Sequence, residues 1–215
     1  MVQVSQRTGF TGSALIHLLA RLTHAEAPES RQAFADRLSQ WLGWTDAISL
    51  SAALDGNLAI ARSRTRAPGN AAQAECNRVR AALANAITED SVFTTTDFPP
   101  YRQRYLARQQ AMETGIDPLR ARLQGALAAR SPDMARLAAV DVVMAQALGS
   151  HERRLLSTVP TLLEKHFERL RQAHTDSPPE VWLDLFRSDM QAVLLAELDI
   201  RLQPVEGLLE ALRTS

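Results

Sequence analysis

The chain has 215 residues, and its 24 basic side chains are matched by 24 acidic ones, which argues against an overall electrostatic pull toward nucleic acid or an anionic membrane. Leu, Ala, Arg, Gln and Glu dominate, aromatic residues make up 5% and only nine glycines occur, so the expected class is all-α. Cys76 is the only cysteine, which excludes an intrachain disulfide and gives no sign of an oxidising compartment.

No run of eighteen apolar residues is present, because Asp141 and Gln146 break the best candidate, so no membrane span is expected. Phe10 to Ala20 is mostly apolar, and Ala25-Glu26-Ala27 imitates a signal-peptidase site. His17 lies inside that apolar run and Arg21 directly against it, however, and Pro28 would follow the cut. The expected location is the cytoplasm.

Taken in order, residues 1–10 read as a loose tail, followed by a short amphipathic helix carrying Leu15, Leu18, Leu19 and Leu22. Pro28 suits the first turn of a second helix, with Phe34, Leu38, Trp41 and Leu42 on one face. Gly43 stops it, and Thr45 can cap a third helix with Ile48, Leu50 and Leu54 inward. The short connections predict an N-terminal helical bundle over 1–61, with Trp41 and Trp44 as its largest buried groups.

Pro68-Gly69 among alternating arginines marks a hinge before a bridging helix over 71–90, whose inward stripe is Ala72, Cys76, Val79, Leu83 and Ile87. A Thr-rich break ends at Pro99-Pro100. The rest, 99–215, is expected to be a long antiparallel hairpin with a C-terminal amphipathic helix, continuous with what precedes it. The first arm carries Tyr101, Tyr105, Met112, Ile116, Leu119, Leu123 and Leu127 at helical spacing. The second carries Leu137, Val140, Met144, Leu148, Leu155, Val159 and Leu170, with Leu162 or Leu163. Pro118 and Pro160 either kink these arms or begin new helices. A turn centred on Arg130-Ser131 would set Arg120 opposite Asp141 and Arg108 opposite Glu152, two opposite-charge pairs beside the seam.

Ser177-Pro178-Pro179-Glu180 starts the last helix. Its stripe is Leu183, Phe186, Met190, Leu194, Leu198, Leu202, Val205, Leu209 and Leu212. Trp182, Leu185, Val193 and Leu208 add apolar surface beside it, from which a homo-oligomer through this helix is expected.

Sites for chemistry are not evident. His151-Glu152 begins like a zincin motif, but position 155 is Leu. His151 and His166 would stand roughly 22 Å apart on one helix. There is no Glu-x-x-His pair, P-loop, dinucleotide fingerprint or nucleophile elbow. Cys76 reads as a small buried hydrophobe. No catalytic, cofactor-binding or metal residue is therefore assigned. Arginines outnumber acids over 62–136, and acids outnumber bases over 137–215, which implies that the two parts meet. A nucleic-acid surface on the 62–136 segment is the alternative, but Arg102 and Arg120 fall on one flank of the apolar stripe and Arg104 and Arg122 on the other.

Three stretches, Glu29 to Leu54, Arg104 to Glu113 and Leu162 to Arg171, resemble a bacterial family labelled domain of unknown function three-three-four-eight. Trp41-Leu42-Gly43-Trp44-Thr45-Asp46 is the most specific part of the likeness. The resemblance implies no established activity, so no catalytic residue carries over. It implies genes lying beside others for MotA-like or OmpA-like envelope proteins, and hence a cytoplasmic accessory of an envelope-associated assembly. The expected role is a non-enzymatic helical interaction protein, a scaffold or adaptor.

Overall fold

The computed structural model describes residues 14–24, 34–56, 69–89, 95–175 and 178–214. They form eight helices: α1 (Ala14–Thr23), α2 (Phe34–Trp41), α3 (Trp44–Leu54), α4 (Gly69–Thr88), α5 (Pro99–Ala128), α6 (Pro132–Leu156), α7 (Val159–Ala173) and α8 (Pro179–Thr214). No strand occurs among the described residues. The expected tail, most of the arginine-rich hinge and Ser177 lie outside them.

Helix α8 is the axis of the molecule. Every residue of its predicted stripe, from Leu183 to Leu212, is buried. Helices α1, α4, α5 and α7 pack around it, and α6 touches it. A helix apolar on more than one face can be satisfied by neighbours on several sides, and this one is. Trp182, Val193 and Leu208 are buried within the chain as well, and only Leu185 of the four flanking residues is exposed. The apolar strip expected to receive a second copy is thus largely covered from within.

Helix α5 lies parallel to α8. Tyr101 meets Phe186, Tyr105 meets Glu197 and Glu113 meets Arg201, so residue numbers rise together along both helices. All seven residues of its predicted stripe are buried. Pro118 sits inside an unbroken helix, because Ile116 and Leu119 on its two sides are both fixed in the core. At the start of α5 an aromatic cluster joins three helices. Phe167 stacks edge-on to Phe186 and to Trp182, each with ring centroids 5.0 Å apart.

The hairpin is present and its register near the turn is the expected one. Ser131 caps α6 by accepting the Met134 N–H at 3.2 Å. Arg120 grips Asp141 with two hydrogen bonds, Nη2 to Oδ1 at 2.6 Å and Nε to Oδ2 at 2.9 Å. The second expected pair does not form. Beyond Pro118 the arms are offset by about one helical turn, and Gln109 of α5 instead donates to the Leu156 carbonyl at 3.3 Å.

The second arm is two helices. It breaks at Ser157-Thr158, since Pro160 has no N–H to offer the Leu156 carbonyl. The break changes the phase of the apolar stripe, so Leu156 is buried where Leu155 was expected, and Leu155 is exposed. Leu137 is exposed too. Helix α6 buries Ala138 toward the main core and Ala139 with Val143 in a smaller cluster around Ala53 of α3.

That smaller cluster corrects the expected N-terminal bundle. The first three helices pack on the rest of the chain and scarcely on one another: α1 against α7 and α8, α2 and α3 against α6. The face that α3 turns inward is Ala53 with the half-buried Leu50, and the small side chains of Ala53 and Ala139 admit a close approach. Ile48 and Leu54 are consequently exposed, and Trp41 and Trp44 are not buried groups at all. Gly43, not Thr45, caps α3, with its N–H donated to Asp46 Oδ2 at 3.0 Å. Gly56, at φ 77°, closes the turn after it, a left-handed conformation that favours glycine.

Two truncations on α8 separate its inner and outer faces. Leu202→Ala should cost about 2–5 kcal/mol by removing a fully enclosed side chain. Leu185→Ala should change stability by no more than about 0.5 kcal/mol. Urea unfolding monitored by circular dichroism gives both values; similar losses would contradict the central position of α8.

Candidate functional site

The middle of α8 carries a residue that its apolar stripe does not announce. Glu197 lies between Leu194 and Leu198 and has 0% exposure. A carboxylate removed from water costs several kcal/mol unless its oxygens are met by donors and its charge by a cation. Here both conditions hold. Tyr105 donates its hydroxyl to Oε2 at 2.6 Å. Gln109, one turn along α5, donates its amide to both oxygens at 3.0 and 3.1 Å. Arg201, one turn along α8, places Nε at 2.9 Å and Nη2 at 2.8 Å from Oε1.

The same amide of Gln109 faces the Leu156 carbonyl, the acceptor left open by Pro160. One side chain therefore ties α5 to α8 and to the α6–α7 break. Burial, and then the Glu197 charge and hydrogen bond, push the Tyr105 hydroxyl far above the ordinary tyrosine range. Among the described residues no buried side-chain polar atom lacks a partner.

Arg201 leads outward from this network. Its Nη1 lies 3.5 Å from Glu113, and both residues line an open cleft of about 1060 Å³ between α5, α6 and α8. Met112, Ile116, Leu148 and Ile200 form apolar parts of its wall. Asp141 is held there by Arg120 and by Gln124, whose amide lies 2.7 Å from Oδ2. At one end Trp41 stacks on His151, with ring centroids 4.5 Å apart and planes tilted by 32°. The cleft thus combines an apolar wall, an aromatic end and several carboxylates. The buried Glu197 behind it has no free lone pair facing solvent and is placed to hold Arg201.

The remaining residues weighed in the sequence fall elsewhere. His166 is buried at the junction of α1, α7 and α8, with Nε2 at 2.8 Å from Asp189 Oδ2. Arg169 donates to the Leu22 carbonyl at the end of α1 and lies 3.4 Å from His166 Nδ1. An arginine can only donate, so Nδ1 accepts and Nε2 carries the proton toward Asp189. His166 is a link between helices. His151, by contrast, belongs to the cleft. Cys76 is buried on α4, and burial pushes its thiol up. No group of three metal-ligating side chains occurs among the described residues.

Three of the arginines of 62–136 are engaged across helix boundaries. Arg80 reaches Asp199 at 3.1 Å and also Glu206 of α8, Arg122 pairs with Glu75 of α4, and Arg120 with Asp141. The basic and acidic parts do meet. Glu197 and Gln109 were passed over in the sequence, and Tyr105 was placed only in the apolar stripe, although two signals were there. A Glu three residues after Leu194 is in phase with the core, and Arg201 follows it at the spacing of one turn. Tyr105 and Gln109 share that spacing on α5.

Removing the acceptor should be far worse than removing one donor. Glu197→Ala leaves a buried guanidinium, amide and hydroxyl unmatched and should cost about 3–5 kcal/mol, against about 1–2 kcal/mol for Tyr105→Phe. Both tyrosines of the chain, Tyr101 and Tyr105, are raised, each chiefly by burial. Above pH about 10 the unfolded chain releases tyrosine protons that the folded chain retains, so stability is full below that pH and falls as pH rises beyond it. Absorbance at 295 nm should stay flat through the ordinary tyrosine range and rise only as helix is lost. Ionisation in the folded protein near pH 10 would contradict the burial of both rings.

No described helix is long and apolar enough to cross a membrane. Neither the curated proteins nor the solved structures include a match to this chain. A family model does match, over residues 1–214, and the chain belongs to the family described as Protein of unknown function (DUF3348).

Proposed function

We propose that the protein is a non-enzymatic helical interaction protein, a scaffold or adaptor working in the cytoplasm. One observation carries this. Trp44 is 82% exposed, and on the same short helix Ile48 and Leu54 are also exposed while the opposite face is packed on α6. A tryptophan is the side chain whose burial at an interface yields most, and isolated solvent exposure of one beside further apolar residues favours a partner. Trp41, partly exposed above the cleft, extends the apolar surface around Gly43.

The chemistry of the polar groups favours the same view. The carboxylates with the strongest environments, Glu197 and Asp141, are occupied by Arg201 and Arg120, which suits structural roles better than proton transfer. The nucleic-acid alternative loses support from the same pairs, because Arg80, Arg120 and Arg122 face carboxylates of neighbouring helices. An envelope-associated assembly, as the family likeness implies, remains the setting in which we would seek the partner.

The test compares the tagged protein with a Trp44→Ala, Ile48→Ser variant in pull-downs from the native host. Both side chains are exposed, so the variant should unfold within about 0.5 kcal/mol of the parent. It should lose a reproducible set of proteins that the parent retains. Identical retained sets, with the fold intact, would remove the interaction role from this surface.

A further inference from the structure

Building on the interaction role above, we propose that the cleft between α5, α6 and α8 receives a cationic amphipathic helix of a partner protein. The cleft is elongated. Its α5 wall runs from Met112 to Gln124 and its α6 wall from Asp141 to Leu155. At about 1.5 Å per residue these walls are roughly 18 and 21 Å long, three to four turns of a helix. Met144, Leu148 and Ile200, each half-buried, and the exposed Leu155 supply the apolar surface along which one face of such a helix would lie. Trp41 on His151 closes one end, an aromatic anchor of the kind that dominates interface energies.

The charge fixes the sign of the partner. Glu113, Asp117, Asp141 and Glu152 line the cleft, with Glu197 buried behind them, against Arg120, Arg153 and Arg201. Five carboxylates against three guanidiniums leave two negative charges. Arg120 is taken by Asp141, and Arg201 is divided between Glu197 and Glu113. Asp117 and Glu152 have no ion pair among the described residues and are the two carboxylates open to an incoming base. They stand on opposite walls. Asp117 adjoins Pro118, where the register passes from that of Arg120–Asp141 to that of Gln109–Leu156, so it faces the Met144 to Leu148 turn and Glu152 lies about 6–12 Å further along the groove, one to two turns. Lysines or arginines four to eight residues apart, on the two flanks of a leucine stripe, match that placement.

The probe is a fluorescent helical peptide of about eighteen residues, with leucines at helical spacing flanked by lysines. Two controls carry glutamates for the lysines, or the same composition scrambled. Anisotropy is read with the parent protein and with an Asp117→Asn, Glu152→Gln variant whose fold is checked by thermal unfolding. The lysine peptide should bind the parent about tenfold or more tighter than either control, weaken with added salt, and lose most of that margin on the variant. Absence of binding by the lysine peptide, equal binding of the glutamate peptide, or an unchanged affinity for the variant would each overturn the proposal. So would a dimer of the protein that the lysine peptide disperses, since the cleft would then belong to a second copy. A glutamate peptide that binds while the Trp44 pull-down succeeds would leave the interaction role standing and remove only the cationic partner.

Discussion

A carboxylate with no exposed surface must take every hydrogen bond and its counter-charge from the protein, and Glu197 does so from two helices at once. Tyr105 and Gln109 stand one turn apart on α5, while Glu197 and Arg201 stand one turn apart on α8. Sliding either helix by a turn would strip the carboxylate of the matched donors that α5 supplies, at a cost of several kcal/mol. Apolar stripes alone do not discriminate so sharply, because a leucine displaced by one turn meets another leucine. The buried charge therefore sets the register of the α5–α8 pair, and the stripes supply the bulk of the stability.

Other parts of the fold follow from that register. Gln109 carries it to the α6–α7 break, where it meets the carbonyl that Pro160 leaves open. Arg201 carries it to Glu113 and the cleft. Arg80 of α4 fastens to Asp199 and Glu206, both beyond Glu197 on α8. The aromatic cluster of Tyr101, Phe167, Trp182 and Phe186 closes the opposite end, where α7 and α1 dock.

Much of this was legible in the sequence because helical periodicity is a strong signal over long elements. The stripes of α5 and α8 are buried residue for residue, and Ser131 and Pro132 mark the turn. The Arg120–Asp141 pair could be placed from the turn alone, three turns away. Legibility failed where phase or partner was decided elsewhere. Leu155 and Leu156 exchange roles because the helix breaks between them and Val159. Trp41 and Trp44 were expected inside an N-terminal bundle, yet α3 offers its small residues to α6, and that choice depends on Ala139 in a distant segment. The cleft was invisible for the same reason: its walls come from three helices, and Glu113, Asp117 and Glu152 look like ordinary helix-surface acids in the chain. The identities of Glu197 and Gln109 as core residues were readable in phase, but polarity outweighed position.

The account makes α8, keyed to α5 through Glu197, the frame on which the other helices rest. Residue-resolved amide hydrogen exchange in the native state tests it most directly, because it ranks segments by the free energy needed to open them. The expected pattern has the slowest exchange in α8 from Met190 to Leu209 and in α5 from Tyr105 to Leu123, with α1 and α3 opening much earlier. Exchange in α8 as rapid as in α3, while α6 stayed protected, would show that the frame lies in the hairpin and that Glu197 does not hold it.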